Sequence, residues 1–369
     1  MNNQIEKIAR KSLSFISPYV PGKPAEQLFR EKGLMKIIKL ASNENPLGPS
    51  PYAVKILNKK THALNRYPEG NAFMLKEKLS QFFGINAQQI IVGNGSSEII
   101  GMTIQSFCEQ GDEIICASPS FIIYKILAYA FGAIPVEVKL NTDFSYNLDA
   151  FIEKISDKTK LIILCNPNNP TGSYITKQNM ERFMKNIPDN IIVLCDEAYI
   201  EYAEAPDFGS AFQWLTKGSV IIARTFSKIY GLAGLRIGYG MASTDIIKIM
   251  EKIRPPFNTS SLAQDAATAA LDDCNFVQKS IQHNINGKQY LSQNLKKLGF
   301  TVFPSQANFL FCRIEKNTDE ICQQLEENGI IVRPMTAFGV KEKYIRITIG
   351  TEEENKIFID KLNDILKNL

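Results

Sequence analysis

Ile191-Ile192-Val193-Leu194-Cys195-Asp196-Glu197-Ala198-Tyr199 decides the reading of this chain. Five apolar residues run without a polar break and then give way to two carboxylates. A strand with one face in water would alternate, so an unbroken run marks a strand covered on both faces. The same signature stands at Ile90-Ile91-Val92, Glu113-Ile114-Ile115-Cys116, Pro135-Val136-Glu137-Val138, Leu161-Ile162-Ile163-Leu164-Cys165 and Val220-Ile221-Ile222-Ala223. Helix-like stretches separate these runs from about residue 90 to 241. The pattern predicts an α/β fold with a mostly parallel sheet sandwiched by helices. Sheets of this kind collect ligands at the carboxyl ends of their strands, and Asp196 stands at such an end.

Outward from this region the pattern changes. Arg254-Pro255-Pro256-Phe257 breaks the chain, and an alanine-rich helix follows over 262–271. A long polar helix near 276–298, a strand over 308–313, a helix near 318–328 and a strand over 330–333 come next. Thr351 with Glu354 forms a capping box for the last helix, which places Phe358, Leu362, Ile365, Leu366 and Leu369 on one face. These signals predict a large ligand-binding domain over 41–255 and a smaller α+β domain over 256–369. Residues 1–40, with Pro18, Pro21 and Pro24, form an arm that belongs in part to the smaller domain.

Composition narrows the function. Of 369 residues, 44% are hydrophobic and 22% charged, and the net charge of +4 comes with no dense basic block. Nucleic-acid and membrane-surface roles therefore have little electrostatic support. Two distant histidines, His62 and His283, exclude a multi-histidine zinc site and disfavour a histidine-based triad. The seven cysteines form no C-x-x-C pair, and Cys116, Cys165, Cys195 and Cys312 sit in apolar runs. Reduced core thiols, no metal and a cytoplasmic location are expected. The first 16 residues carry charge through their apolar positions and lack an export pattern.

The chemistry centres on Thr225-Phe226-Ser227-Lys228 and the glycine-rich Gly231-Leu232-Ala233-Gly234-Leu235-Arg236-Ile237-Gly238. Glycines let backbone approach a ligand closely. Hydroxyls and a guanidinium fork suit a phosphate. An amine beside a phosphate site suits a Schiff base with pyridoxal phosphate. That cofactor needs a carboxylate at its pyridine nitrogen, for which Asp196 is placed, and donors at its ring oxygen, for which Tyr199 and Asn169 are placed. Asn169 lies in Asn166-Pro167-Asn168-Asn169-Pro170-Thr171-Gly172, a stretch that also reads as an ordinary turn. Gly93-Asn94-Gly95-Ser96-Ser97-Glu98 opens the helix 99–107, either as a capped helix or as an anion cradle of free N–H groups.

The ordered set N-P-N-N-P-T-G, D-E-A-Y and S-K-x-x-G-L-A-G-L-R-x-G resembles the fold-type I, pyridoxal-phosphate-dependent aminotransferases of classes I and II. Pro18-Tyr19-Val20-Pro21-Gly22-Lys23-Pro24, Ala41-Ser42-Asn43-Glu44-Asn45-Pro46-Leu47-Gly48, Arg66-Tyr67-Pro68-Glu69-Gly70, Pro256-Phe257-Asn258, Val332-Arg333-Pro334 and Ile345-Arg346-Ile347-Thr348-Ile349-Gly350-Thr351 are similar to the histidinol-phosphate branch. The resemblance runs from about residue 8 to the C-terminus. It implies a seven-stranded large sheet, Lys228 as the amine that holds the cofactor, Asp196 at the pyridine nitrogen, and Tyr199 and Asn169 at the ring oxygen. It gives Ser96, Ser97, Thr225, Ser227 and Arg236 to the cofactor phosphate, with Phe121 stacked on one ring face and Ala198 on the other. Phe121 stands where a tyrosine is common, so the stacking surface is kept and a hydroxyl is lost. Tyr67 matches a residue that reaches the neighbouring subunit's cofactor, which implies a homodimer with shared sites.

For substrate, the resemblance assigns Arg346 to the carboxylate of glutamate or 2-oxoglutarate. Arg346, Arg333 and Tyr19 together would hold the phosphate of histidinol phosphate. A guanidinium fork serves either anion, although Arg333 also reads as half of a surface ion pair. The expected reaction is transamination, with Lys228 moving a proton as general base and acid. An aromatic amino acid aminotransferase shares these motifs, a threonine-phosphate decarboxylase shares the fold and a phosphate, and a regulatory effector sensor would need an added DNA-binding module.

Overall fold

The computed structural model describes residues 3–18, 22–34, 36–341 and 343–369. Two short helices, Asn3–Ile8 and Ala25–Lys32, lead to β1 (Ile38–Lys39). Seven strands then build the large sheet: β2 (Ile90–Gly93), β3 (Glu113–Ser118), β4 (Ile134–Lys139), β5 (Thr159–Cys165), β6 (Ile192–Asp196), β7 (Val220–Thr225) and β8 (Gly238–Ala242). Their order is β2-β8-β7-β6-β5-β3-β4. β8 runs antiparallel to both its neighbours, and every other neighbouring pair is parallel.

The unbroken apolar runs explain this arrangement. Leu161, Ile163 and Cys165 enter the core on one face of the sheet, while Ile162 and Leu164 enter the core on the other. Ile221 and Ile222 divide in the same way along β7. The exception is β4, at the edge, where Ile134 and Glu137 are exposed and Pro135 is tolerated. Cys116, Cys165, Cys195 and Cys312 are buried, and burial raises the pKa of each thiol.

The smaller sheet contains β9 (Thr301–Val302), β10 (Phe309–Arg313), β12 (Arg333–Pro334) and β13 (Tyr344–Thr348) in the order β12-β13-β10-β9. All its pairs are antiparallel. The run expected as one strand over 330–333 divides at Val332. β11 (Ile330–Ile331) pairs in parallel with β1, and β12 pairs with β13. The arm is thereby stitched to the C-terminal third of the chain. The last helix, Glu352–Asn368, carries the expected capping box and buries Phe358, Ile359, Leu362 and Ile365. Leu369 is 42% exposed, one residue past that face.

The alanine-rich helix, Ser261–Ala270, is capped by the Ser260 side chain. Its Ala263, Ala266, Ala267 and Ala270 enter the core beneath the large sheet. Small side chains let it lie close against the helix Pro51–Lys60. Among the described residues, no helix is long and apolar enough to cross a membrane.

Candidate active site

The carboxyl ends of β3, β5, β6 and β7 and the start of the helix Ser96–Phe107 open on a cavity of about 390 Å³. Ser96, Ser97, Phe121, Asn169, Asp196, Ala198, Tyr199, Thr225, Ser227, Lys228, Arg236, Arg333 and Arg346 all line it. Residues scattered over 250 positions of sequence thus meet in one space. Tyr67 lies apart, 83% exposed, with its ring stacked 4.8 Å from that of Phe257. Tyr19 lies outside the described residues.

Asp196 closes β6 and is 2% exposed. Its Oδ2 accepts the Tyr124 hydroxyl at 2.7 Å, and its Oδ1 accepts the Ala198 N–H at 3.2 Å. Burial pushes the carboxyl up to about 6 from the ordinary 3.8, against the pull of Tyr124, Ala198 and Lys228. It forms no ion pair among the described residues. A buried carboxylate of this kind is stabilised by a cationic ring N–H placed against it. Sequence reasoning missed Tyr124, whose only signal is a place on an apolar helix.

Lys228 follows β7 after the fully buried Phe226 and projects into the cavity. Its Nζ lies 3.3 Å from the Ser42 carbonyl and 5.5 Å from the centre of the Tyr199 ring. Burial lowers its amine to about 8 from 10.5; Arg346 and Arg236 add to the effect, while Glu44 and Asp196 oppose it. Tyr199 accepts the Asn43 amide at 2.9 Å and the Asn169 amide at 3.4 Å. Burial pushes the Tyr199 hydroxyl up, with Arg346 and Asn43 pulling the other way.

The helix Ser96–Phe107 begins at Gly95, with φ +77° and no side chain capping its first N–H groups. A Cβ at Gly95 would sit 2.7 Å from Arg236 Nη2, so glycine is what lets the guanidinium reach the helix start. Arg236 donates to Ala233 O at 2.9 Å and Ser227 Oγ at 3.4 Å, and it pairs with no carboxylate among the described residues. The nearby Glu98 is occupied by the Asn94 N–H and the Asn258 amide, both at 2.6 Å. Open helix donors, a guanidinium and the hydroxyls of Thr225 and Ser227 make a phosphate cradle. With a carboxylate for a ring nitrogen, hydroxyl and amide donors for a ring oxygen, and an amine of lowered pKa, the donor set fits pyridoxal phosphate.

Also in the cavity lining, Arg333 and Arg346 face each other in direct register on β12 and β13. They are 7% and 5% exposed. Arg346 donates to Asn169 Oδ1 at 2.5 Å and to Ala41 O at 2.6 Å. Phe338 stacks against both guanidiniums, 5.5 Å from that of Arg333 and 5.6 Å from that of Arg346. Phe338 and Asn43 were also not singled out from sequence.

An α/β sheet with an amine, a buried carboxylate and a phosphate cradle at its strand ends defines a cofactor-dependent group-transfer enzyme. Residues 35–362 match the family aminotransferase class I and II, and the chain belongs to that family. It is 43% identical to the histidinol-phosphate aminotransferase of Moorella thermoacetica, over 97% of this chain and 92% of the relative. It is 41% identical to histidinol-phosphate aminotransferase 2 of Carboxydothermus hydrogenoformans, over 98% of this chain and 100% of the relative. Its fold matches the crystal structure of histidinol-phosphate aminotransferase from Sinorhizobium meliloti in complex with pyridoxal-5'-phosphate, with TM-score 0.88, 24% identity and 98% of each chain covered.

Proposed function

We propose that this protein uses pyridoxal phosphate to transfer the amino group of L-histidinol phosphate to 2-oxoglutarate, yielding imidazole acetol phosphate and L-glutamate, a step of histidine biosynthesis. The observation that carries the substrate is the pair Arg333 and Arg346, set side by side in the lining of the cavity that also holds the phosphate cradle. Two adjacent forks suit a phosphate monoester in one half of the cycle and a carboxylate in the other. The names of the relatives support the same reading.

Pyridoxal phosphate, when bound, supplies an aldehyde that condenses with amines and a ring that withdraws electrons from the carbon beside them. Ser96, Ser97, Thr225, Ser227 and Arg236 would hold its phosphate, and Phe121 and Ala198 would flank its ring. Asp196 would be ionised beside a cationic ring nitrogen and would keep that nitrogen protonated. Tyr199 and Asn169 donate toward the ring oxygen. Lys228 Nζ would accept the proton from the substrate carbon and hold it for return, and its lowered pKa supplies the neutral amine that this requires. The rings of Phe338 and Phe309 pack against the guanidiniums and hold them in place.

A cytoplasmic homodimer completes the proposal. Its support is the exposed apolar surface of Leu64, Tyr67, Phe73, Met74 and Phe257, from which Tyr67 would reach a neighbouring subunit. Tyr19 is carried into the proposal as a third substrate contact on the resemblance of its motif. The reading is tested by incubating purified protein with pyridoxal phosphate, 2-oxoglutarate and one donor at a time. Histidinol phosphate should yield glutamate fastest. Faster glutamate formation from phenylalanine would favour an aromatic aminotransferase, and carbon dioxide from threonine phosphate would favour a decarboxylase.

A further inference from the structure

Asn43 sits where the arm crosses between the two sheets, 1% exposed, with φ +55°. Asparagine tolerates this left-handed backbone better than other residues that carry a side chain. Its backbone N–H donates to Thr348 Oγ1 at 3.0 Å, and its carbonyl accepts the Asn308 amide at 3.0 Å. Having accepted that N–H, the Thr348 hydroxyl is left with its own proton, which it donates to Asn43 Oδ1 at 3.0 Å. The amide orientation is thereby fixed, and Asn43 Nδ2 donates to Tyr199 Oη at 2.9 Å. Asn169 is oriented in the same manner. Its Oδ1 faces the Arg346 guanidinium, which can only donate, so its Nδ2 faces Tyr199 Oη at 3.4 Å.

A phenolic oxygen has two lone pairs, and here both meet amide donors. Its proton must therefore point away from both amides. The other groups facing Tyr199 are the edge-on Phe309 ring, the Lys228 amine over its face, and the charges or thiol of Arg346, Asp196 and Cys165. We propose that Asn43 is a positioning residue for transamination: held by Thr348 of β13, it turns the Tyr199 proton into the cavity, toward the ring oxygen of pyridoxal phosphate. The inference rests on the aminotransferase reading above and deepens it. It also ties that proton to the strand that carries Arg346.

A tyrosine that donates to the ring oxygen stabilises the unprotonated chromophore, so weakening the donation raises the chromophore's protonation midpoint. The test is a spectrophotometric pH titration of the holoenzyme, without substrate. Asn43→Ala should raise the midpoint by about half a unit to one unit, the scale of one hydrogen bond. Asn43→Asp, whose carboxylate attracts the tyrosine proton, should raise it further. Thr348→Val, which frees the amide to flip, should raise it also and carries the test if Asn43→Ala does not fold. A purely structural role would lower the melting temperature and leave the midpoint in place. Folded Asn43 and Thr348 variants titrating with the wild type would overturn this inference alone. A wild-type chain that forms no chromophore would overturn the aminotransferase reading as well.

Discussion

Burial and two guanidiniums hold the Lys228 amine at about 8 rather than 10.5, which suits the base the proposed function asks of it near neutrality. In the cofactor-free protein, the condensation rate with pyridoxal phosphate should rise with pH and level off just above 8. A rate that climbs steadily toward 10.5 would show an unperturbed amine. The sign for stability follows from the same shift. Between about 8 and 10.5 the folded chain binds fewer protons at this site than the unfolded chain does, so this residue's contribution to stability improves as pH rises through that window. Lys228→Ala should lower turnover by about 100- to 10,000-fold, the usual worth of a positioned acid–base group, as measured by glutamate release. Substantial remaining turnover would remove the lysine from the proton transfer. Asp196 and Lys228 were legible because each follows an unmistakable strand. Tyr124 and Asn43 were not, because their partners lie 72 and 156 residues away and nothing local marks a hydrogen bond across that distance.

At the level of elements, apolar runs showed six strands of the large sheet, and β8 escaped them. Gly238-Tyr239-Gly240-Met241-Ala242 has no β-branched residue, since a helix packs where side chains would stand. A Cβ at Gly238 would meet Ser96 N at 2.6 Å. The division of 330–333 into β11 and β12 was equally hidden, because pairing with β1 depends on where the arm travels. It matters for function: the break sets Arg333 opposite Arg346 on one face of the small sheet. Arg333→Gln should reduce kcat/KM for histidinol phosphate by roughly 10- to 100-fold, the loss of a charged hydrogen-bond pair to an anion. Phenylalanine, which brings no phosphate, should suffer less. Equal losses for both donors would place Arg333 outside the phosphate site.

At the scale of the whole molecule, ion pairs among the described residues such as Lys36–Glu353, Lys248–Asp245 and Lys367–Asp364 lie at the surface and contribute little. Glu197 and Arg224 differ: the carboxylate is fully buried, accepts Arg224 Nε and Nη2 at 3.1 and 2.7 Å, and also holds Ser210 and the Ala211 N–H. Glu197→Ala should cost about 3–5 kcal/mol in denaturant unfolding, because it strands a buried guanidinium. A loss below 1 kcal/mol would mean that water reaches Arg224 in the variant. Sheet order carries a further consequence, for the chain as it is made. β2 is synthesised early, yet its one neighbour in the sheet is β8. Until residue 242 has left the ribosome, this entirely apolar ribbon has no strand to pair with, although the helix after it can already pack on β5, β6 and β7, and such unpaired apolar edges recruit holdase chaperones. Nascent chains arrested before residue 238 should be cut by protease within 90–93, and chains arrested well beyond 271 should resist it.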